Sequence, residues 1–364
     1  SIGAGASVSN YAVNPYPENF DKLVSLVNKT FNKDLKGIRI EKFEELEKIE
    51  RYVKSHDFSE SFEKIGGNVL VALELAVLKA ASDKELYTFL NKKVKKLPTP
   101  LGNCVGGGKH GQGPDFQEFL ILPQVKKFDE ACQINIDVYK NLKEELKKHD
   151  RNFVGAKTTE GGWSCSLSNL EVLSIMKKVV NKVGDEYNKD VKIGLDIAGD
   201  SLWNGRKYEY KKFSRVQQKR NLSKEDQVDI VRKIIRNHKL AYVEDPLNDG
   251  DFDGFKELKK ENCLICGDDL IATNPERLEL SKDKISAVII KPNQIGSLLK
   301  TKEVIDIAKK NKIIPVMSHR SGETTDNAIS HLAVGWECNL IKTGIIGGER
   351  VSKLNELLRI SELI

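Results

Sequence analysis

From Asn19 to about Lys96 the apolar positions recur at helical spacing. Phe20, Leu23, Leu26 and Val27 suit one amphipathic face, and IGGNVLVALELAVLKAA reads as a longer, largely buried helix ended by Ser82, Asp83 and Lys84. The basic, proline-punctuated stretch Lys92 to Pro100, KKVKKLPTP, marks a boundary. It divides the chain into a small domain over residues 1–95 and a larger one over 96–364. Beyond it the texture changes to short apolar runs: PLGNCVGG, FLILP, FVGAK, VKIGLDIAG, LAYVEDP, LICGDDL, AVIIKPN, IIPVMSH and LIKTG. Helical patterns such as LEVLSIMKKVVNKV and KEDQVDIVRKIIRNH separate most of them. A strand–helix–strand repeat of about 24 residues predicts parallel strands joined by crossover helices. Eight or so units in about 265 residues fit an α/β barrel of the TIM type. An open doubly wound sheet fits less well, because its switch-point fingerprint is not convincing. Trp203 to Leu222 is polar and is expected to be a surface excursion.

Chemistry in such a barrel gathers at the C-terminal ends of the strands. IGLD closes on Asp196, YVE on Glu244, and LICGD on Asp268 with Asp269 behind it. VIIK closes on Lys291, VMSH on His319 and LIK on Lys342. Three carboxylates converging on one mouth would raise each other's pKa. A hard divalent cation resolves that conflict, and an all-oxygen donor set suits Mg²⁺. Lys291, at the lip of a buried strand, is expected to have a lowered pKa and to act as a base. With Lys342 and a metal facing the same pocket, the set suits removal of a proton next to a carboxylate.

Charge and composition narrow the partners. The 59 basic and 53 acidic residues are interleaved, and the net charge of +6 has no clustered basic run with exposed aromatics, which argues against a nucleic-acid surface. No run of apolar residues is long enough for a membrane span. The first residues, SIGAGASVSNYAV, have no secretion-signal pattern, so a cytoplasmic protein is expected, with residues preceding Ser1. The six cysteines show no disulfide framework; Cys263 and Cys266 form a lone CxxC without a second pair and read as core residues.

The ordered motifs GGKHGQGPDFQEF, EGG, GLDIA, VEDP, GDDLIATN, IIKPNQIGS, SHRSGET, IKTG and ERVSKLNELLRI resemble the enolase family across nearly the whole chain. The lysine-plus-magnesium arrangement is that superfamily's own. The resemblance implies an α+β N-terminal domain, here incomplete at its start, before an atypical barrel. It implies a homodimer or higher oligomer acting on a small phosphorylated 2-hydroxy acid: dehydration of 2-phosphoglycerate to phosphoenolpyruvate. By the same resemblance Asp196, Glu244 and Asp268 hold a first Mg²⁺, and Ser7 in GAGAS helps hold a second. Lys291 becomes the base at carbon 2. Glu160 is the acid that helps expel the carbon-3 hydroxyl, assisted by Glu118. His110, Arg320, Ser321 and Lys342 meet the substrate, the arginine and serine at its phosphate and the lysine at its carboxylate, with His319 beside them.

Three departures stand out. GASVS replaces the usual GASTG, Thr159 stands where an acid usually precedes Glu160, and His110 lies one residue nearer Glu118 than the family pattern has it. Loss of the acid next to Glu160 is expected to make it easier to ionise and weaker as an acid. These changes keep two alternatives open: another 2-hydroxy acid as substrate, or a catalytically weak paralogue serving as a binding protein. Gly106, Gly108 and Gly111 also satisfy GxGxxG, but no helix pattern follows, so a nucleotide site is not expected.

Overall fold

The computed structural model describes all residues except 1–2, 6–8, 10, 60–61 and 111–112. Ten strands follow in chain order: β1 Thr99–Gly106, β2 Glu118–Pro123, β3 Val191–Asp196, β4 Tyr208–Tyr210, β5 Arg220–Leu222, β6 Tyr242–Glu244, β7 Leu264–Gly267, β8 Ala287–Ile290, β9 Ile314–Ser318 and β10 Leu340–Lys342. Eight of them close a barrel in the order β1-β10-β9-β8-β7-β6-β3-β2. The barrel is not all parallel. β2 runs antiparallel to both β1 and β3, and the remaining pairs are parallel. The cause is the connection from Gly106 to Glu118: among its described residues it carries a single 3₁₀ turn, Gly108–His110, and no crossover helix, so the chain turns straight back. Two helices in succession, Phe128–His149 and Asn169–Tyr187, then precede β3.

Two other expectations need correction. FVGAK is not a strand; it lies in the loop between those two helices, with Val154 87% exposed where a barrel strand would be covered. Trp203 to Leu222 is not a bare surface excursion but contains the β4–β5 hairpin. Tyr208 and Tyr210 point inward and are buried, and the Tyr210 hydroxyl donates to Gln227 Oε1 at 2.9 Å. The out-and-in alternation of YEY carries that signal, which the surrounding charges mask.

Before the barrel, the described residues form helices, chiefly Phe20–Leu26, Leu46–Lys54, Gly67–Ala81 and Leu86–Leu90. The strands that an α+β domain would need are absent among the described residues of 1–95. Phe20 is exposed rather than part of the buried face, because it sits in the first turn after the Asn19 cap; Leu23 carries the burial instead. The helix Gly67–Ala81 ends on Ser82, as its sequence suggests. It anchors this region to the barrel: Glu74 accepts from the Leu298 backbone at 2.8 Å.

Strand periodicity sorts the core. Leu101, Leu120, Leu122, Tyr242, Cys266, Ala287, Ile289, Val316 and Leu340 fill the barrel axis as one apolar cluster. Their strand neighbours, Val243, Ile265, Val288, Ile290, Met317 and Ile341 among them, face outward into the apolar layer beneath the helices.

Candidate active site

Side chains on a strand alternate between faces. Counting on by two from the barrel-axis residues therefore gives the next inward position on each strand. Tyr242 leads to Glu244, Cys266 to Asp268, Ile289 to Lys291, Val316 to Ser318, Leu340 to Lys342, and Leu120 back to Glu118. The apolar plug thus ends in a ring of charged groups, because each strand places its polar residue in phase with its apolar ones. The Tyr242 hydroxyl joins the two layers by donating to Glu244 Oε2 at 2.7 Å.

Lys342 stands at the centre of this ring. Its ammonium lies 2.8 Å from Glu118, 2.8 Å from Glu244 and 3.2 Å from Asp196. Burial opposes its charge, but these carboxylates hold it well above the ordinary lysine range. Lys291 lies 2.5 Å from Asp268 Oδ2. Here the expected lowering fails. Burial does act downward, yet Asp268 outweighs it and leaves the ammonium above its usual range.

The acid pair is reordered as well. Glu118 and Glu160 are buried and joined by a hydrogen bond. Burial first, and then Glu160, push Glu118 up. Burial also acts upward on Glu160, but the hydrogen bond from Glu118 and the charges of His110, Lys342 and Arg350 bring it down to about 2. Within the pair Glu118 is thus the weaker acid and Glu160 the stronger. The cations around Glu160 account for this, not the neighbouring Thr159 alone.

His110 and His319 flank Glu160: His110 Nε2 lies 3.5 Å from Oε1 and His319 Nε2 3.1 Å from Oε2. Arg320 is buried, donates to Asn293 Oδ1 at 2.9 Å, and lines the same pocket as Ser321. Ser7 lies outside the described residues. Nearby, Ala4 pairs antiparallel with Gly322 through two backbone bonds of 3.0 and 2.9 Å. Gly5 packs so closely on the Arg320 guanidinium that a Cβ there would collide with it. Ala4 and Gly5 are thus laid against the loop that carries Arg320 and Ser321.

Sequence reasoning passed over four residues here. Gln117 donates to Asp196 Oδ2 and Gln294 to Asp268 Oδ1, both at 3.2 Å. Asp245 accepts from the backbones of Asp268 and Asp269 at 2.9 and 2.7 Å, from a strained backbone with φ of 38°. Arg350 is fully buried beneath His319. The motifs QEF, VEDP, PNQIGS and ERVSK contain all four; what the sequence lacks is any sign of which way each points.

The residues fit a hard cation. Asp245, Asp268 and Asp269 each bring an oxygen within 4.8 Å of the others. Burial and mutual repulsion raise Glu244 and Asp245 well above the carboxylate range and Asp269 to about 7. Of the three expected ligands, Asp196 and Asp268 line the pocket, and Glu244 is fully buried, 2.8 Å from the Lys342 ammonium that lines it. All the donors are oxygens, and their crowding favours protonation of several of these acids even with the two lysines beside them. A divalent ion answers that crowding.

Comparison with known proteins agrees with this picture. The family model described as "Enolase, C-terminal TIM barrel domain" matches residues 94–364. The enolase of Methanosphaera stadtmanae is 40% identical over 372 residues, covering 99% of this chain and 88% of its own. That of Archaeoglobus fulgidus is 39% identical over 373 residues, covering 100% of this chain and 88% of its own. The enolase of Methanocorpusculum labreanum is 42% identical over 312 residues, covering 82% and 76%. A closed barrel with its second strand reversed, an acid–lysine ring at the strand ends and matches of this length lead to one assignment: the chain belongs to the enolase family.

Proposed function

We propose that this chain catalyses the reversible dehydration of 2-phosphoglycerate to phosphoenolpyruvate, a lyase reaction, with Lys291 as the base and the Glu118–Glu160 pair as the acid. The observation that carries this reading is the division of the pocket. One part holds the Lys291 amine beside carboxylates able to bind a cation; another holds two glutamates with a single proton between them.

Lys291 takes the proton from carbon 2. For that it must shed the proton that Asp268 stabilises, so Asp268 needs another cation to answer its charge. Magnesium, held by Asp196, Glu244 and Asp268 and in a second position helped by Ser7, would supply that charge and neutralise the substrate carboxylate as carbon 2 becomes anionic. Lys342 remains an ammonium under the grip of Glu118, Glu244 and Asp196 and adds positive charge at the same carboxylate. The proton on Glu118 passes to the departing carbon-3 hydroxyl through Glu160, so the two glutamates act as a unit. The guanidinium of Arg320 suits a phosphate, with Ser321 beside it.

The rest of the protein is read accordingly. Residues 1–95 form the N-terminal domain and 96–364 the barrel, a division supported by the start of the family match at residue 94. Six cysteines without a disulfide favour the cytoplasm, and no described helix is long and apolar enough to cross a membrane. A homodimer is the proposed assembly. The test is direct: purified protein with Mg²⁺ should form phosphoenolpyruvate from 2-phosphoglycerate, and K291A should not. Absence of turnover at saturating Mg²⁺ would reject the reading.

A further inference from the structure

Arg350 lies in the first turn of the helix Gly348–Ser361, is completely buried, and reaches the residues assigned to substrate chemistry through the His319 ring and the backbone carbonyls of Arg320 and Ser321. A buried guanidinium is costly unless its donors are used, and here the four terminal hydrogens are used, while Nε lies 3.5 Å from Glu349 Oε1. Nη1 donates to His319 Nδ1 at 2.9 Å and to the Arg320 carbonyl at 2.6 Å. Nη2 donates to the carbonyls of Thr159 at 3.2 Å and Ser321 at 2.6 Å. Gly344 and Gly347, both at positive φ, leave room for the side-chain stem, whose carbons lie 3.4 and 3.3 Å from where their Cβ atoms would be.

Arginine does not lose its proton in a protein, so it can only donate. His319 Nδ1 must therefore be the acceptor, and the ring's single proton must reside on Nε2. That nitrogen faces Glu160 Oε2 at 3.1 Å. We propose that Arg350 is a positioning residue that fixes His319 as its neutral Nε2–H tautomer and so aims a hydrogen-bond donor at Glu160. The same side chain ties the Thr159 loop to the Arg320–Ser321 loop, so the acid and the phosphate-binding residues keep one spacing. This rests on the reading of Glu160 as a member of the acid pair. It also gives His319 a defined part: the ring holds the Glu160 carboxylate in place and is not itself a proton reservoir.

The test is ¹⁵N-detected imidazole NMR on the full chain at neutral pH, with H319Q used to assign the resonance. The wild type should show His319 neutral, with Nδ1 unprotonated and Nε2 protonated. A ring protonated on Nδ1, or on both nitrogens, would overturn the proposal without any other variant being needed. In R350M the tautomer should become mixed and kcat should fall about 10²-fold, the scale on which such outer partners act. In R350K, whose ammonium can still donate to Nδ1, both should recover in part. Loss of kcat in R350M with the tautomer unchanged would overturn the positioning role and leave the assignment of Glu160 standing. A changed tautomer with kcat intact would count against the link to Glu160 itself.

Discussion

Lys291 Nζ and Asp268 Oδ2 are 2.5 Å apart, so the proposed base and a proposed metal ligand share one charge pair. Filling the site with a cation and freeing the base are then coupled events. Mg²⁺ should raise the thermal midpoint, with a gain of about 2.7 kcal/mol at a hundredfold excess over Kd, and EDTA should reverse it. In D268N the shift should be largely lost. A Mg²⁺-independent midpoint in the wild type would separate Asp268 from any cation role.

The shared proton of Glu118 and Glu160 makes both glutamates necessary for the same step. E160Q and E118Q should each lower phosphoenolpyruvate formation by about 10²–10⁴-fold. Exchange of the carbon-2 hydrogen with solvent, followed by NMR, should survive in both. If E160Q stops exchange as well, Glu160 acts on carbon 2 and not on the leaving group.

Three histidines tie stability to pH. Burial keeps His238, His319 and His331 below the ordinary imidazole range, reinforced at His319 by Arg350 and at His238 by Lys177. Below the unfolded value of about 6.5 the unfolded state binds more protons at these three rings than the native state does, so their contribution to stability is lost as pH falls. That contribution to the urea midpoint should be constant above that pH and drop beneath it, and the difference between wild type and H319Q isolates it from the opposite trend of the raised carboxyls. H319Q should make the drop shallower. An equally steep drop in that variant would mean that His319 charges freely in the fold.

Glu74 gives the opposite sign. Its burial, and then Glu50 beside it, push its carboxyl well above the usual range while its Oε2 accepts from the Leu298 N–H. As pH rises through the unfolded glutamate value, the unfolded chain ionises first and the native state loses ground. E74Q keeps the acceptor without the titration and should be more stable than the wild type at neutral pH. E74A orphans the N–H and should lose about 1–3 kcal/mol or more. A less stable E74Q would show that Glu74 is ionised in the fold.

Much of the barrel is legible in the sequence because apolar runs and their closing residues share one period. Ala287, Ile289 and Lys291 lie in phase, so a lysine at the end of AVIIK had to face the axis. The reversed β2 is harder to read, since FLILP looks the same in either direction and only the missing helix between Gly106 and Glu118 betrays it. At Lys291 the direction is the reverse of what burial alone implies, whereas Glu160 is easier to ionise, as expected, but for more reasons than Thr159. Asp268 reaches Lys291, and Glu118, Lys342 and Arg350 reach Glu160, from other strands and helices, which neither residue's sequence neighbours show. Arg350 lay within ERVSK, on a helix whose pattern says buried and nothing more.

The carbon-2 hydrogen offers the most direct measurement. Incubated with 2-phosphoglycerate and Mg²⁺ in D₂O, the wild type, E160Q and E118Q should all wash that hydrogen out, while K291A should leave it in place. Washout by K291A at the wild-type rate would contradict the assignment of Lys291 as the base.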